Sequence, residues 1–321
     1  QAILDSIIKN ESDKTLDLQK DSLFRVTVID FEDARFIHIH THHIILDGWC
    51  FPIIINDLKK YYAALSEGIA IDKLSEEIKK ENELQTSYAQ YVKWIRGQDK
   101  QEKAEYWKKL LAGYSDAHIY GKEKKDNSKN EKIFTFRTSL SADLSQKIEQ
   151  FAKKLKVSVN TVFESAFSIA LQKYSGCDDV VFNKTISGRS IPLKNISETL
   201  GLFINTVPVR IESDGNTTIA ELLNATQNLT IEANKNGILP LADVYRSCGI
   251  ESKSVDALFV FENYFTGDVQ EIENGPLGVK LLSFEEQTEF NLTVTIMREQ
   301  NGYTIRSSYA KEMYSESEIF E

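Results

Sequence analysis

The part of this 321-residue chain best equipped for chemistry is a run of imidazoles, since four of its five histidines lie in the stretch HIHTHH at positions 38–43. An Asp-Gly pair follows at Asp47 and Gly48. Clustered histidines can ligate a metal ion, accept a proton near neutral pH, or fill a half-buried sheet without doing chemistry. The surrounding residues have to distinguish these three cases.

The metal interpretation has too few ligands. His38-x-His40-x-x-His43 resembles the HxHxDH element of metallo-β-lactamase-type hydrolases, but His42 stands where that element has Asp. Such sites also need histidines further along the chain, and only His118 remains. We therefore expect no metal at this cluster.

Alternation along a strand makes the adjacent histidines inequivalent. If the strand continues through position 43, His38, His40 and His42 share one face, while His43 lies on the other. We expect His38 and His40 to be hydrogen-bonded within a sheet, and one of the pair His42 and His43 to be packed while its neighbour points into a cavity. A neutral imidazole with an ordinary pKa near ~6.5 can accept a proton there at pH 7.

The residues on either side predict a strand, a turn and a helix around the histidines. Residues 22–30 and 34–45 are rich in β-branched and aromatic side chains and predict a hairpin. Residues 52–68 change to helical spacing and end at a glycine. The Asp-Gly pair therefore falls in the turn between a strand and a helix, a common way to present side chains at a cleft.

The rest of the chain predicts two α+β units. Residues 72–111 have a largely helical pattern, and residues 121–132 are polar with almost nothing to bury, as in a linker. We therefore predict an N-terminal lobe at 1–120 and a C-terminal lobe at 133–321.

Within the C-terminal lobe, Ser141 is expected to cap a helix whose Leu144, Ile148 and Phe151 point inward. Strands are predicted at 132–140, 179–186, 202–211, 256–263, 277–284, 288–298 and 302–309, and helices at 160–176, 217–234 and 240–247.

Composition limits the partners and the compartment. A formal net charge of −10 argues against nucleic-acid binding, which needs a basic face. No apolar run approaches the ~20 residues of a membrane helix, so no membrane association is expected. The cysteines, Cys50, Cys177 and Cys248, are far apart and not in CxxC spacing, which favours a reducing cytoplasm.

Several stretches together suggest a family. They are HHIILDG at 42–48, SYAQYVKW at 87–94, Gly188-Arg189 followed by GLFINTVPVR at 201–210, and FVFENY at 259–264. In this order they resemble motifs of the condensation domains of non-ribosomal peptide synthetases, which are chloramphenicol acetyltransferase-like acyltransferases. The resemblance covers essentially the whole chain. It implies an α+β fold of two such lobes, each a two-layer α/β sandwich, with the active-site tunnel between them.

The chain also departs from the family pattern. Gln90 replaces the Asp of the Y-x-D-F-A-x-W helix, and Asn236 replaces the His of an H-x-x-x-P element. The two earliest motifs of the family, one of them the RHExLRT strand, have no counterpart and would precede Gln1. We therefore expect a fragment of the domain.

The resemblance implies amide-bond formation. The α-amine of an acceptor aminoacyl thioester attacks the thioester carbonyl of a donor, and 4'-phosphopantetheine arms tether both substrates to upstream and downstream peptidyl carrier proteins. No cofactor is expected to be bound by the domain itself. An adenylation domain is expected in the same synthetase.

The resemblance also assigns roles within the motif. His43 is the expected catalytic residue, with His42, Asp47 and Gly48 as structural motif residues. Asp47 is expected to pair with an arginine that fixes the loop. The in-chain candidates for that partner are Arg189 and Arg25.

The substrate tunnel is expected to be lined by Asn205, Trp49 and Arg189. Asn205 stands out because an amide within an apolar run costs roughly 1–3 kcal/mol unless it is hydrogen-bonded. Tyr88, Tyr91 and Trp94, at helical spacing, are expected mainly to pack. Cys50 is expected to be a packed thiol rather than a nucleophile.

Three alternative functions stay open. An epimerisation domain carries the same HHxxxDG motif, but the FENY stretch at 261–264 favours condensation. A catalytically silent domain that only binds carriers would have the same sequence pattern. A stand-alone acetyl-CoA-dependent acyltransferase would need a basic patch, which the overall acidity opposes.

Overall fold

The structure is a computed structural model that describes residues 2–32, 34–114, 133–251, 255–262, 282, 288–299 and 302–321. It divides into two compact units. The first comprises Gln1–Tyr91 and Leu193–Phe203, and the second comprises Val92–Pro192 and Ile204–Glu321. The linker predicted at 121–132 lies outside the described residues.

The first unit contains the predicted hairpin. Strands β1 (Phe24–Asp30) and β2 (Arg35–Thr41) pair antiparallel, and Phe24 lies opposite Thr41. The hairpin prediction is confirmed, but β2 ends at Thr41 and not at 45. The helices that begin in this unit are α1 (Ala2–Ser12), α2 (Cys50–Ser66), α3 (Ile71–Leu84) and α4 (Tyr88–Arg96).

His38 and His40 lie on one face of β2, with ring centroids 6.4 Å apart. Both rings are half-buried. Among the described residues, no hydrogen-bond partner is within reach of His38 Nε2 or His40 Nδ1. The expectation that the sheet satisfies both imidazoles is therefore wrong for these two atoms.

Acid should loosen the β1–β2 hairpin. Burial lowers the pKa of His38, and the neighbouring His40 lowers it further, while Glu11 opposes both effects. The unfolded chain then binds the proton more readily, so stability falls as the pH drops from about 6.5 through the lowered pKa. We expect faster amide exchange of β1 and β2 at pH 5.5 than at pH 7.5, after correction for intrinsic rates. His38→Gln should shrink that difference; an unchanged difference would contradict this assignment.

Within the described residues, the second unit is built on a sheet of six strands with the order β3-β8-β7-β6-β4-β5. The pairs β4–β6 and β6–β7 are parallel, and the remaining pairs are antiparallel. The strands are β3 (Ile133–Ser139), β4 (Asp179–Ile186), β5 (Asn205–Glu212), β6 (Ala257–Glu262), β7 (Leu292–Glu299) and β8 (Gly302–Ala310). The helices that follow α4 are α5 (Lys100–Leu110), α6 (Ala142–Leu155), α7 (Val159–Ser175), α8 (Ile219–Asn236), α9 (Leu241–Cys248) and α10 (Glu316–Phe320).

Most predicted elements of this unit are present. The strand predicted at 277–284 lies outside the described residues apart from position 282, as do Asn263 and Tyr264 of the FENY stretch. Side chains on β4 alternate between two buried clusters: Val180 and Phe182 belong to one, and Val181 belongs to the other.

Helix α5 belongs to the second unit, whereas the sequence-based division placed it in the first lobe. The buried Trp107 donates from Nε1 to the carbonyl of Asn236 at 3.1 Å. Arg210 donates to the carbonyls of Leu110 and Ala112, at 3.3 and 2.7 Å. These contacts join α5 to the second unit.

Helix α6 turns only part of the expected face inward: Ile148 packs against the core as predicted, whereas Leu144 and Phe151 do not. Ser141 caps it as predicted, since Leu144 N–H donates to Ser141 Oγ at 3.2 Å. Leu144 and Phe151, however, are 44% and 40% exposed. The inward face centres instead on the buried Ser145, whose hydroxyl accepts a hydrogen bond from the main chain of Tyr303.

Candidate active site

The HHIILDG motif forms the turn between β2 and α2. Ile45 N–H donates to the carbonyl of His42 at 3.2 Å, so the chain turns as soon as the strand ends. Cys50 N–H donates to the carbonyl of Asp47 at 2.9 Å and starts α2. Asp47 and Gly48 therefore lie in the turn between the strand and the helix, as the sequence predicts, and His42 and His43 lie in the same connection.

The adjacent residues His42 and His43 differ in burial, and strand alternation is not the cause. Position 42 is already outside β2, so the predicted face assignment of His42 and His43 is wrong. His42 Nδ1 accepts a hydrogen bond from Ile44 N–H at 3.1 Å, so its ring closes the turn on itself. His43, in contrast, is exposed.

The buried side chain of Asp47 stabilises the turn. Its side chain is 1% exposed, and Oδ2 accepts a hydrogen bond from Phe203 N–H at 2.8 Å. The proposed pairing with Arg25 is wrong, because Arg25 forms an ion pair with Asp21, 3.2 Å from Nη2 to Oδ1. The structural role expected for Asp47 is thus carried out in part by a main-chain donor.

Removing the Asp47 carboxylate should weaken the first unit. Asp47→Ala leaves the buried Phe203 N–H without its acceptor, and a hydrogen bond to a charged group contributes about 1.5–3 kcal/mol. We expect a loss of this size in urea unfolding, together with a lower transfer rate. Asp30→Ala is the control, because the Asp30 side chain is 61% exposed in its pair with Arg35, and it should change stability little. Equal effects of the two variants would contradict a structural role for Asp47.

Tyr88 and Tyr91, on α4, pack against Phe203, as their spacing predicts. Their rings lie 5.3 and 4.6 Å from the Phe203 ring, centroid to centroid. Burial, and secondly the charge of Asp47, raise the pKa of Tyr88, so its hydroxyl stays a donor at neutral pH. The tyrosine motif therefore helps to assemble the surroundings of the histidine motif.

Gly48 and Trp49 complete the turn. The carbonyl of Gly48 accepts a hydrogen bond from Phe51 N–H at 3.3 Å, which adds a second main-chain bond at the start of α2. Trp49 occupies the N-cap position of α2 in a helical backbone conformation, and its side chain is half-buried. Trp49 therefore lies directly next to the motif.

Asn205 and Arg189, the other two expected substrate residues, belong to the second unit. Asn205 Nδ2 donates to the carbonyls of Gly237 and Leu239 at 2.9 and 2.7 Å, and its Oδ1 accepts from Thr206 N–H. These bonds explain how an amide is accommodated in an apolar strand. Arg189 is half-buried beside Gly188, which has a φ of 62°.

Sequence reasoning underrated two residues. Cys50 was expected only to pack, yet its thiol makes specific contacts with Gly201. Arg210 ends the GLFINTVPVR stretch and bridges Asp179, 2.8 Å away, to the end of α5. The position of Arg210 at the end of the motif could have indicated its role. No feature of the sequence around Cys50 indicated its contacts with Gly201.

Neither a metal centre nor a membrane span emerges from the described parts of the chain. Within those ranges, no group of three or more His, Cys, Asp or Glu side chains is arranged to hold a metal ion. Within the same ranges, no helix combines the length and the apolar character needed to cross a membrane.

The fold is that of known condensation-type domains. The first condensation domain of the CDA synthetase superposes with a TM-score of 0.75 at 15% identity, covering 100% of this chain and 69% of that one. The epimerization domain from the third module of tyrocidine synthetase B gives a TM-score of 0.73 at 17% identity, covering 100% and 73%. These structures define the class: an α+β, chloramphenicol acetyltransferase-like acyltransferase fold.

The chain belongs to the Condensation domain family, whose pattern it matches over residues 1–321. A plipastatin synthase of Bacillus subtilis (strain 168) is 32% identical over 327 residues, which cover 99% of this chain but 12% of that protein. The chain thus spans about an eighth of this curated relative. Condensation domains of non-ribosomal peptide synthetases are acyltransferases that form amide bonds, and this chain is one of them.

Proposed function

We propose that this domain joins a donor acyl or peptidyl thioester to an acceptor aminoacyl thioester, and that His43 is its catalytic residue. The observation that carries the proposal is the difference in burial between two residues of the same motif, His43 and Asp47. The imidazole of His43 is exposed, while Asp47, four residues later, is buried and bonded. A reactive side chain on a rigid support is what positioning of a nucleophile requires.

The acceptor amine attacks the donor carbonyl, so a C–N bond forms, the C–S bond breaks and the donor's pantetheine thiol leaves. A free α-amine has a pKa of only about 8, so roughly a tenth of it is already neutral at pH 7 without a base. We therefore assign His43 two tasks: holding the amine at attack distance, and taking its proton as the tetrahedral species forms. Positioning alone can supply up to roughly 7–11 kcal/mol.

Carrier proteins bring both substrates to the domain. Donor and acceptor are carried on the 4'-phosphopantetheine arms of upstream and downstream peptidyl carrier proteins, and an adenylation domain of the same cytoplasmic synthetase loads the acceptor. We assign Trp49, Asn205 and Arg189 to substrate contacts. For Asn205 the group that can accept a further hydrogen bond is Oδ1, which already accepts one from Thr206 N–H, because both Nδ2 protons are donated to main-chain carbonyls.

Reconstitution with two loaded carriers tests the proposal. Donor and acceptor carriers bearing different amino acids are mixed with the synthetase module that contains this domain, and dipeptidyl carrier is sought by mass spectrometry. Dipeptide formation that depends on His43 supports condensation. A change in donor stereochemistry without dipeptide would identify an epimerisation domain. Carrier binding with neither reaction would identify a silent domain.

A further inference from the structure

Side chains contact the main chain of one short segment near the motif. Four side chains contact the main chain of Gly201-Leu202-Phe203. They belong to Asp47, Cys50, Tyr88 and Tyr91, and we call these four residues the 201–203 clamp. Tyr88 Oη donates to the carbonyl of Leu202 at 2.9 Å. Tyr91 Oη lies 3.4 Å from the carbonyl of Phe203. The clamp therefore joins the HHIILDG turn and helix α4 to the same three residues.

The thiol of Cys50 contacts both the N–H and the carbonyl of Gly201. Its thiol donates to the carbonyl of Gly201 at 3.2 Å and accepts from Gly201 N–H at 3.4 Å. The side chain of Cys50 is fully buried, so water cannot replace these contacts. Gly201 is suited to this approach, because a Cβ at this position would collide with the Tyr88 ring.

Cys50 lies directly after the turn that carries His43. It starts α2, its N–H is bonded to the carbonyl of Asp47, and its Sγ lies 3.5 Å from Asp47 Oδ1. If the thiol contacts are lost, the buried Gly201 peptide has to move to find other partners. Phe203 N–H, the donor to Asp47, moves with it. A displacement of about 1 Å at a positioned group can lower a rate 10²-fold.

We propose that Cys50 is a positioning residue for the transfer reaction: it fixes the Gly201 peptide and thereby the Asp47 side of the turn that carries His43. This inference rests on the proposed role of His43. It predicts that the hydrogen-bonding ability of residue 50 controls the rate, and that filling the space alone is not sufficient.

The test compares Cys50→Ser, Cys50→Val and wild type in the complete synthetase module with loaded donor and acceptor carriers. Cys50→Val fills the space without hydrogen bonds, and we expect its single-turnover rate at saturating carrier to fall at least about tenfold with KM unchanged. Cys50→Ser keeps a donor and an acceptor and should stay within threefold of wild type. The control Cys248→Ala, at a half-buried thiol of the second unit, should leave the rate unchanged.

A second measurement does not depend on catalysis. Amide exchange of Ile44, Ile45 and Phe203 should be faster in Cys50→Val than in wild type, and restored in Cys50→Ser. Unchanged exchange in Cys50→Val, or a Cys50→Ser rate as low as that of Cys50→Val, overturns the proposal. If wild type makes no dipeptide, the proposed function fails, and the exchange data still decide whether Cys50 holds the turn.

Discussion

Replacing His43 with alanine should lower the single-turnover rate of dipeptide formation roughly 10²–10⁴-fold, the range lost when a positioned acid–base group is removed. The loss should appear in the rate at saturating carriers, because the role proposed for the imidazole is to act on the reacting amine and not on the carrier surface. The His43 side chain is exposed, so its removal should change the free energy of unfolding little. Rapid-quench measurement of dipeptidyl carrier checks the rate, and calorimetric titration checks carrier binding.

His40→Ala is the matched control for this experiment. It removes a half-buried imidazole three residues earlier, on β2 and outside the turn. We expect it to change the stability of the hairpin but to leave most of the transfer rate. A His43→Ala domain that transfers as fast as wild type would remove His43 from the mechanism. Equal losses in the two variants would show that the effect comes from the hairpin and not from a specific group.

The sequence was sufficient for elements that short-range patterns determine. The β-branched and aromatic residues at 22–30 and 34–45 predicted the hairpin, and the change to helical spacing placed the start of α2 within two residues. The end of β2 was missed because it depends on the ring of His42, which binds Ile44 N–H and closes the turn. A side chain that hydrogen-bonds the nearby main chain can end a strand that propensity would continue.

Contacts between distant parts of the chain could not be read from the sequence. Asp47 Oδ2 accepts a hydrogen bond from the N–H of Phe203, which is 156 positions away, and this contact was not predicted. A main-chain N–H partner cannot be found by searching the sequence for a particular type of residue. The same limit applies to Leu193–Phe203, which joins the first unit although it lies far along the chain.

A buried ion pair in the second unit was also missed, although both residues lie in predicted elements. Lys184 is on β4 and Glu164 is on α7, with side chains 3% and 0% exposed. Lys184 Nζ donates to Glu164 Oε2 at 2.6 Å and to Thr230 Oγ1 at 2.9 Å. One charge in each apolar run is a weak sign of pairing, because charged residues in such elements mostly face solvent.

Lys184→Met should destabilise the second unit by about 3–5 kcal/mol, because it leaves the Glu164 carboxylate buried without its cation. Adding Glu164→Leu should recover most of the loss, since an apolar pair of similar volume avoids the cost of burying both charges. Lys235→Met is the matched control, because Lys235 pairs with Glu232 on the surface, at 62% and 46% exposure, and should cost less than about 1 kcal/mol. Urea unfolding of the three variants measures these differences. If Lys184→Met costs no more than Lys235→Met, the buried pair does not contribute to stability; if the double variant stays as unstable as the single one, the contribution comes from packing and not from the unpaired charge.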